Sequence, residues 1–309
     1  MPKSPLQSNK VAIIGCGKVG MTAAYSILHR GVINELVLVA RCVDDIVGEE
    51  LDLEHGMSFL PFAQVKATQN YADIANSDIV IITAGAAQKP GETRLDLTAK
   101  NVAIVEAIIP EILKYAPESV ILIVSNPVDV LTYKAYQLAG LPKGRIFGSG
   151  TTLDTARFRF HLSEFLHINP SSIHAYILGE HGDTSFPAIS SATVGGQPLN
   201  LMSNFSEEKA HAAFENAQQA AYKIIASKGA TFYGIGTVVS EIVSKILRDS
   251  RTVLPVSVPL HQYYGHSGVA LSVPCIIGRN GVEETLEIKL DWEEKQKLEH
   301  SVNTLKQFA

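Results

Sequence analysis

The first half of the chain alternates short apolar runs with segments of helical spacing. The apolar runs are rich in Val, Ile and Leu and read "KVAIIG", "ELVLVA", "DIVIITAG" and "SVILIVSNP". They lack alternation of apolar and polar positions, as expected of strands that are covered on both faces. Helical spacing lies between them, over residues 19–30, 44–58 and 97–115. This order predicts an α/β fold with a doubly wound parallel sheet and right-handed crossovers.

The second half follows a different pattern. Helical spacing covers residues 151–166 and 291–308, and residues 206–248 predict helices that are interrupted near Gly229. Strands are predicted for "IHAYILG", "LPVSVPL", "VALSVPCIIG" and "TLEIKL", in a mainly antiparallel region broken by Pro and Gly turns. We therefore expect two closely packed domains, residues 1–150 with the parallel sheet and residues 151–309 with an α+β arrangement.

Composition narrows the class of protein. The 309 residues are 46% hydrophobic and 18% charged, which suits a compact soluble protein. A formal net charge of −5 gives no electrostatic reason to expect nucleic acid or an anionic membrane as a partner. The polar start "MPKSPLQSNK" and the three dispersed cysteines favour a cytoplasmic location with reduced thiols. No metal site is expected, because the ten histidines form no HxxxH motif and no Cys/His cluster.

A glycine motif supplies the first candidate site. Gly15, Gly17 and Gly20 fit the pattern G-x-G-x-x-G between a predicted strand and a predicted helix. The first glycine permits a tight turn, the second lets a pyrophosphate approach the backbone, and the third lets helix and strand pack closely. We interpret this segment as the dinucleotide-binding turn of a Rossmann domain. The alternative is an ordinary glycine-rich turn.

The second predicted strand ends in "VLVAR", without the acidic residue that usually binds the adenosine ribose. Ala40 cannot repel a 2′-phosphate, and Arg41 supplies a cation where that phosphate would lie. This favours acceptance of NADP(H) beside NAD(H). Asp44 and Asp45 would repel a phosphate, and they favour the alternative in which Arg41 points to solvent.

Four further segments carry polar side chains typical of a reaction site: "TAGAAQKPGETRLDL", "SNPVDV", "GSGTTLDTARFRF" and "GEHGDTSFP". At these residues the sequence closely resembles the L-lactate/malate dehydrogenase family, over nearly the whole chain. It is most similar to the bacterial members that fructose 1,6-bisphosphate regulates. The resemblance implies an NAD-dependent L-2-hydroxy acid dehydrogenase that forms a homotetramer, with residues 151–309 as the substrate and oligomerisation domain.

Histidine titrates near neutral pH, so His181 in "GEHGD" could exchange a proton with a carbinol oxygen. The alternative is a hydrogen-bonded turn histidine. The resemblance makes His181 the acid/base and Asp154 the carboxylate that orients it. Arg157, three residues after Asp154, forms either an ion pair on one helix face or, as in the family, a fork for the substrate carboxylate. The resemblance also implies that Arg94 lies in a closing loop and polarises the ketone.

The resemblance also assigns the substrate and the cofactor contacts. Gln88 stands where malate enzymes carry Arg, and Thr231 adds bulk to the pocket wall, so pyruvate and L-lactate are the expected substrates. Asn126 would contact substrate and nicotinamide before a cis Pro127, and Ile235 would press on the nicotinamide. Further cofactor contacts are implied for Val19, Tyr71, Gly85, Ala86, Val124 and Ser149.

Arg159 and His174 suggest a second anion site. Arg159 is two residues beyond Arg157 and points roughly 200° around the helix, so the two arginines are poorly placed to bind one ligand. The pair matches positions through which bacterial relatives bind fructose 1,6-bisphosphate at a subunit interface. Each residue could instead be an ordinary surface or packing residue. Alternative functions are a malate dehydrogenase, an NAD-dependent glycosidase and a non-catalytic nucleotide sensor.

Overall fold

A parallel sheet is built from the first half of the chain, in a computed structural model that describes residues 9–86 and 94–308. Its strands are β1 (Lys10–Ile14), β2 (Glu35–Val39), β3 (Gln64–Thr68), β4 (Ile79–Ile82), β5 (Val120–Ile123) and β6 (Ile146–Gly148). All six are parallel, in the spatial order β6-β5-β4-β1-β2-β3. The chain reverses its direction of winding between β1 and β4, and ligands of such sheets bind at this point.

Helices cover both faces of the sheet, which explains the continuous apolar runs. They are α1 (Lys18–Arg30), α2 (Val47–His55), α3 (Arg94–Tyr115) and α4 (Val128–Ala139). Along β1, Ile13 packs in the same cluster as Ile27 of α1, whereas Ile14 packs in the cluster of Ile109 of α3. Successive side chains therefore enter opposite cores, and neither face of the strand has to be polar.

The second half contributes α5 to α8 and eight further strands. In chain order these elements are α5 (Thr152–Leu166), β7 (Ile173–His174), β8 (Ile177–Leu178), β9 (Phe186–Pro187), β10 (Thr193–Val194), β11 (Gln197–Pro198), α6 (Glu207–Lys228), α7 (Tyr233–Leu247), β12 (Thr252–Tyr263), β13 (His266–Gly278), β14 (Gly281–Thr285) and α8 (Trp292–Lys306). Short 3₁₀ helices cover Val43–Asp45, Met57–Phe59, Tyr71–Ile74, Pro170–Ser172, Ile189–Ser191 and Leu199–Leu201.

The antiparallel strands β12, β13 and β14 extend the parallel sheet. β12 joins β6 through a single antiparallel pair, Ser257 with Gly148, and the result is one sheet of nine strands. The predicted fold class, a Rossmann-type parallel sheet followed by an α+β region, is confirmed. The proposed border near residue 150 lies between β6 and α5, directly after this junction.

Several helix predictions agree with the structure to within a few residues. α1, α3, α5 and α8 occupy the segments with helical spacing, and the predicted interruption separates α6 from α7. Gly229 ends α6 with a φ of 81°, and its N–H donates to the carbonyl of Ile225 at 2.8 Å. The left-handed conformation favours glycine there and stops the helix. The segment 44–58 is less regular than predicted, because α2 is flanked by two 3₁₀ turns.

Two strand predictions are wrong. Only Thr285 of "TLEIKL" belongs to a strand, β14. The carbonyl of Ile288 and the N–H of Leu290 bond instead to the hydroxyl of Tyr264, so that side chain replaces a neighbouring strand. "IHAYILG" is divided between β7 and β8, which pair with different partners, and the carbonyl of Ala175 between them accepts a hydrogen bond from Arg159.

Candidate active site

A cavity of about 610 Å³ lies where the carboxyl ends of β5 and β6 meet α5, α7 and the turn after β8. This is the end of an open parallel sheet at which ligands bind. Many of the predicted site residues line it, namely Val19, Val124, Asn126, Ser149, Asp154, Arg157, His181, Thr231 and Ile235. The fold therefore collects predicted cofactor and substrate residues from distant parts of the chain into one cavity.

The glycine turn between β1 and α1 is closed toward the sheet and open at the start of the helix. Gly15 has a φ of 102°, and a Cβ there would collide with the backbone of Ala84. At Gly20 a Cβ would collide with the carbonyl oxygen of Gly15, so glycine lets α1 lie this close. At Gly17 a Cβ would meet nothing within 4 Å. The open side leaves the N-terminus of α1 accessible, which suits a pyrophosphate.

Ala40 and Arg41 follow β2 beside this turn. The N–H of Gly15 donates to the carbonyl of Val39 at 2.9 Å, so the end of β2 borders the glycine turn. Ala40 is half-buried and Arg41 is exposed. Tyr71 starts the 3₁₀ helix after β3, and burial raises the pKa of its hydroxyl. The described geometry therefore leaves the guanidinium of Arg41 accessible to a ligand next to the turn.

Asn101 of α3 ties together the ends of two strands, and it was missed by sequence reasoning. Its side chain accepts a hydrogen bond from the N–H of Ala86 and donates one to the carbonyl of Asn126, both at 2.7 Å. Gly85 lies beside it, because a Cβ on that residue would be 3.5 Å from the Asn101 amide oxygen. The bond between Asn126 and Pro127 is cis, as predicted. The sequence signal for this residue was an asparagine within the mainly apolar segment of helical spacing, residues 97–115.

His181, Asp154 and Arg157 meet in the cavity wall. Nδ1 of His181 lies 2.7 Å from Oδ2 of Asp154, and Nη1 of Arg157 donates to Oδ1 of Asp154 at 3.1 Å. The side chains are 28%, 19% and 14% exposed, so all three are screened from bulk water but reachable. One carboxylate thus binds both the imidazole and the guanidinium. The predicted histidine–aspartate contact and the predicted ion pair are present together.

These contacts set the charge of the imidazole. Burial alone would lower the pKa of His181, but the charge and hydrogen bond of Asp154, with the charge of Asp129, raise it to about 9. At Asp154 burial opposes ionisation, yet the charges and hydrogen bonds of His181 and Arg157 hold its pKa below the usual range. The imidazole is therefore protonated at neutral pH. Because Asp154 holds Nδ1, the proton on Nε2 is the one that a ligand in the cavity could receive.

Asp129, in the first turn of α4, is a second carboxylate at this site that sequence reasoning missed. Its Oδ2 accepts a hydrogen bond from the backbone N–H of His181 at 2.7 Å. Its Oδ1 accepts one from Oγ of Ser257 in β12 at 2.6 Å. Asp129 is buried, with 2% of its surface exposed. The motif "SNPVDV" contains this residue, but its spacing gave no indication of the two groups that Asp129 binds.

α8 holds the other side of the histidine turn. Oγ of Ser301 accepts a hydrogen bond from the N–H of Glu180 at 2.7 Å and lies 2.8 Å from Oγ1 of Thr184. Ser301 is fully buried. The turn that carries His181 is thus bound to α4 on one side and to the C-terminal helix on the other.

Gln88, Arg94 and Thr231 are the remaining residues predicted to contact the substrate. Gln88 lies outside the described residues, and of Arg94 only its place as the first residue of α3 is described. Thr231 and Ile235 line the cavity, as predicted. Among the described residues of the cavity wall, Arg157 is the one Arg or Lys side chain. This part of the wall therefore offers a single guanidinium to an anionic substrate.

Arg159 points away from the cavity. Its Nε donates to the carbonyl of Ala175 at 2.9 Å, and its guanidinium lies 5.1 Å from the ring centre of Tyr176. Burial lowers the pKa of Arg159. His174 precedes Ala175 and is exposed. Arg159 thus bonds to the backbone next to His174, and it does not line the cavity that Arg157 lines.

The described residues were also compared with the requirements of a metal site and of a membrane-spanning helix. In residues 9–86 and 94–308, no cluster of three or more His, Cys, Asp or Glu side chains is arranged to hold a metal ion. Within the same ranges, every helix is too short or too polar to cross a membrane.

Comparison with protein families identifies both halves of the chain. Residues 9–148 match the lactate/malate dehydrogenase NAD binding domain. Residues 151–308 match the lactate/malate dehydrogenase alpha/beta C-terminal domain. The two matches together cover almost the whole chain.

Individual relatives are similar over the same length. The L-lactate dehydrogenase of Thermoanaerobacterium saccharolyticum is 46% identical over 302 residues, covering 96% of this chain and 97% of that protein. The L-lactate dehydrogenase of Halalkalibacterium halodurans is 45% identical over 300 residues, covering 97% of this chain and 96% of that protein. Among solved structures, a minor L-lactate dehydrogenase from Enterococcus mundtii, in a ligands-bound form, superposes with a TM-score of 0.94 at 40% identity and covers 97% of each chain. A lactate dehydrogenase from a Medee basin deep-sea metagenome library superposes with a TM-score of 0.93 at 38% identity, and the match covers 98% of each chain.

The histidine–aspartate contact should make stability depend on pH in a defined direction. A histidine whose pKa is raised from 6.5 to about 9 contributes stability that is fully present below pH 6.5 and is lost as pH rises through 9. We expect His181→Asn to lower the free energy of unfolding at pH 6, and the loss to shrink by on the order of 2 kcal/mol by pH 10. Urea unfolding at both pH values measures this. His211→Asn, at an exposed pair with Glu215, is the control, and an equal loss at both pH values would contradict the expectation.

Proposed function

Because this chain belongs to the lactate/malate dehydrogenase family, we propose that it is an L-lactate dehydrogenase. It would catalyse reversible hydride transfer between a nicotinamide cofactor and pyruvate, giving L-lactate. The observation that carries this proposal is the contact of His181 and Arg157 with the two oxygens of Asp154, in a cavity at the carboxyl end of the sheet. A proton donor and a carboxylate-binding cation are then fixed side by side, as reduction of a 2-oxo acid requires.

The residues of the nucleotide half suit the proposed cofactor. At Gly15 and Gly20 the backbone lies too close to its neighbours for any side chain, whereas there is open space beside Gly17. That combination suits a pyrophosphate at the N-terminus of α1, and Val19 and Ile235 line the cavity where the nicotinamide would lie. When bound, the reduced nicotinamide supplies the hydride that adds to the carbonyl carbon of pyruvate.

His181 supplies the proton. Its imidazolium donates from Nε2 to the pyruvate oxygen as negative charge develops there, and in lactate oxidation the neutral ring takes the proton back. Asp154 keeps Nδ1 protonated and stabilises the charged ring. Because the pKa of His181 in the described chain is about 9, the proton donor is available throughout the neutral range.

Arg157 would bind the substrate carboxylate as a planar pair of donors. Asp154 holds it through one nitrogen, Nη1, and this contact fixes the guanidinium at the cavity wall. By resemblance to the family, Arg94, the first residue of α3, would polarise the ketone. By the same resemblance, Gln88 would face the far end of the substrate, and Thr231, which lines the cavity, would add bulk to the pocket wall. Among the described residues of the cavity wall Arg157 is the one Arg or Lys, so that part of the wall would leave the second charge of a dicarboxylate unpaired, which favours pyruvate.

Steady-state reduction of pyruvate by NADH tests the proposal. We expect His181→Asn to lower kcat by ~10²-fold or more, because proton transfer is lost. The wild-type chain should prefer pyruvate to oxaloacetate in kcat/KM, and Gln88→Arg should shift that ratio toward oxaloacetate. Near-normal pyruvate turnover by His181→Asn would end the assignment of the proton donor. A wild-type preference for oxaloacetate would instead favour malate dehydrogenase.

The adenosine end of the site favours use of NADPH beside NADH. Ala40 carries no carboxylate to repel a 2′-phosphate, and the exposed Arg41 offers a charge-assisted contact next to the glycine turn. Asp44 and Asp45 are exposed in the following 3₁₀ turn and offset part of that attraction. We therefore propose dual use of the two cofactors rather than strict dependence on either.

The cofactor proposal is tested by kcat/KM for NADH and NADPH in three proteins. Arg41→Ala should lower the value for NADPH by roughly 10–150-fold and spare that for NADH, because one charge-assisted contact is worth about 1.5–3 kcal/mol. Ala40→Asp should raise the preference for NADH. If the wild-type chain shows no activity with NADPH, and Arg41→Ala changes neither value, Arg41 is a solvated surface residue.

Regulation by fructose 1,6-bisphosphate is proposed for the site of Arg159 and His174. Support comes from the exposure of His174 and from the hydrogen bond of Arg159 to the carbonyl of the adjacent residue, Ala175. An effector that bridges two subunits would favour an active homotetramer, because it would bind one quaternary state better than the other.

The effector proposal predicts a lower pyruvate KM in the presence of fructose 1,6-bisphosphate. Arg159→Gln should remove most of that response and leave activity without effector largely unchanged. Arg145→Gln, just before β6 and paired with Glu118, should respond like the wild-type chain. Sedimentation velocity with and without the effector reports the assembly state. An unaltered response in Arg159→Gln would show that the effector binds elsewhere.

A further inference from the structure

α1 and α7 begin side by side, next to the glycine turn. A Cβ on Gly236 would lie 2.6 Å from Cγ2 of Thr22, so the first turn of α7 packs directly on α1. One turn further along both helices, Oγ of Ser26 donates to Oγ of Ser240 at 2.7 Å. The two helices therefore run in the same direction, and α7 begins beside the open start of α1.

Phe232, the residue before α7, lies against two lysines. Nζ of Lys18, the first residue of α1, is 5.9 Å from the centre of the Phe232 ring, and Nζ of Lys228, the last residue of α6, is 3.4 Å from it. Both distances are within the range of a cation–π contact. The ring is half-buried, whereas both lysines are exposed. Phe232 thus gives the ammonium of Lys18 a neighbour at the edge of the glycine turn.

The positive charge at this place is not balanced by ion pairs. Within residues 9–86 and 94–308, neither lysine pairs with an Asp or Glu side chain. Neither α1 nor α7, both fully described, has an acidic residue in its first turn or a side chain that caps its N-terminus. Helix N-termini carry partial positive charge, and the two ammonium groups repel each other. An anion bound at the start of α1 would relieve that repulsion.

The cofactor of this family supplies such an anion. The family match assigns NAD binding to residues 9–148, and a dinucleotide carries a pyrophosphate. Gly17, directly before Lys18, has open space where a side chain would stand. Because a lysine ammonium is a compact charge on a flexible stem, it can turn from the ring to a phosphate without movement of the helix. The start of α1 therefore offers a phosphate both backbone N–H groups and a side-chain cation.

We propose that Lys18 is a cofactor-binding residue of this chain, and that its ammonium, kept by Phe232 at the glycine turn, binds the pyrophosphate of the dinucleotide. The inference rests on the proposed function for the nicotinamide cofactor that the site would hold. Its effect differs from that proposed for Arg41, because NADH and NADPH share the pyrophosphate and differ in the 2′-phosphate. Lys18 should therefore strengthen the binding of both cofactors equally.

Isothermal titration calorimetry of NADH, NADPH and ADP-ribose tests the contact without turnover. We expect Lys18→Met to raise the Kd of all three by the same factor, about 10-fold, the lower end for a charge-assisted contact because the side chain is exposed. ADP-ribose carries the pyrophosphate and lacks the nicotinamide ring, so it locates the effect. An unchanged Kd, or a loss confined to NADH and NADPH, would overturn the proposal.

Two further variants separate charge from packing. Lys18→Arg keeps a cation at the turn, so its Kd should stay within about threefold of wild type. Lys114→Met is the matched control, because Nζ of Lys114 also lies over an aromatic ring, 4.6 Å from the centre of Tyr115, but at the end of α3. Its Kd should equal that of wild type. A loss in Lys18→Arg as large as that in Lys18→Met would show that the charge is not what matters, and the proposal would fail.

Salt dependence gives a readout that a packing role would not move. Between about 0.05 and 0.5 M NaCl the Kd of NADH should rise more steeply for wild type than for Lys18→Met, because salt screens an exposed ionic contact. Equal slopes would contradict the proposal, and Lys18→Gln replaces Lys18→Met if the latter does not fold. If wild type reduces no pyruvate but Lys18→Met weakens NADH binding, the proposed function fails and the role of Lys18 stands. If wild type reduces pyruvate and Lys18→Met binds NADH equally well, the inference alone fails.

Discussion

The arrangement of the site depends on the carboxylate of Asp154. Its two oxygens bind an imidazolium and a guanidinium that would otherwise repel each other in a partly buried wall. The start of α5 sets its position, because Thr151 N–H donates to Oγ of Ser272 and Oγ1 of Thr152 donates to the carbonyl of Pro255. The strands β12 and β13 thus fix the start of α5, the helix that carries Asp154 and Arg157.

The regular parts of the fold were predictable, since strands covered on both faces leave unbroken apolar runs in the sequence. β3, β6 and α4 were not predicted. β3 lies at the sheet edge and its "QVKAT" is partly polar, and β6 has only three residues. "TLEIKL" alternates like a strand because its side chains alternate in burial, yet its backbone is satisfied by the hydroxyl of Tyr264. Periodicity reports which side chains are buried, but it does not identify the groups to which the backbone bonds.

His181, Asp154 and Arg157 were predicted as site residues, and the structure brings them together in one cavity wall. Their meeting required the fold, since 27 positions separate the histidine from its aspartate. Asp129 and Asn101 were missed because each acts on backbone groups of distant residues, and sequence spacing carries no record of such bonds. Their roles can be read only when both ends of each hydrogen bond are located.

The single pair of Ser257 with Gly148 has a geometric consequence for the proton network. Ser257 belongs to the ladder through its backbone and to Asp129 through its side chain. Successive side chains of a strand point to opposite faces, so a slip of β12 by one position would turn this hydroxyl away from Asp129. The register of β12 against β6 therefore determines whether the Ser257 hydroxyl can reach Asp129. Such a slip would remove one of the two hydrogen bonds that hold Asp129 beside His181, a residue that neither strand contains.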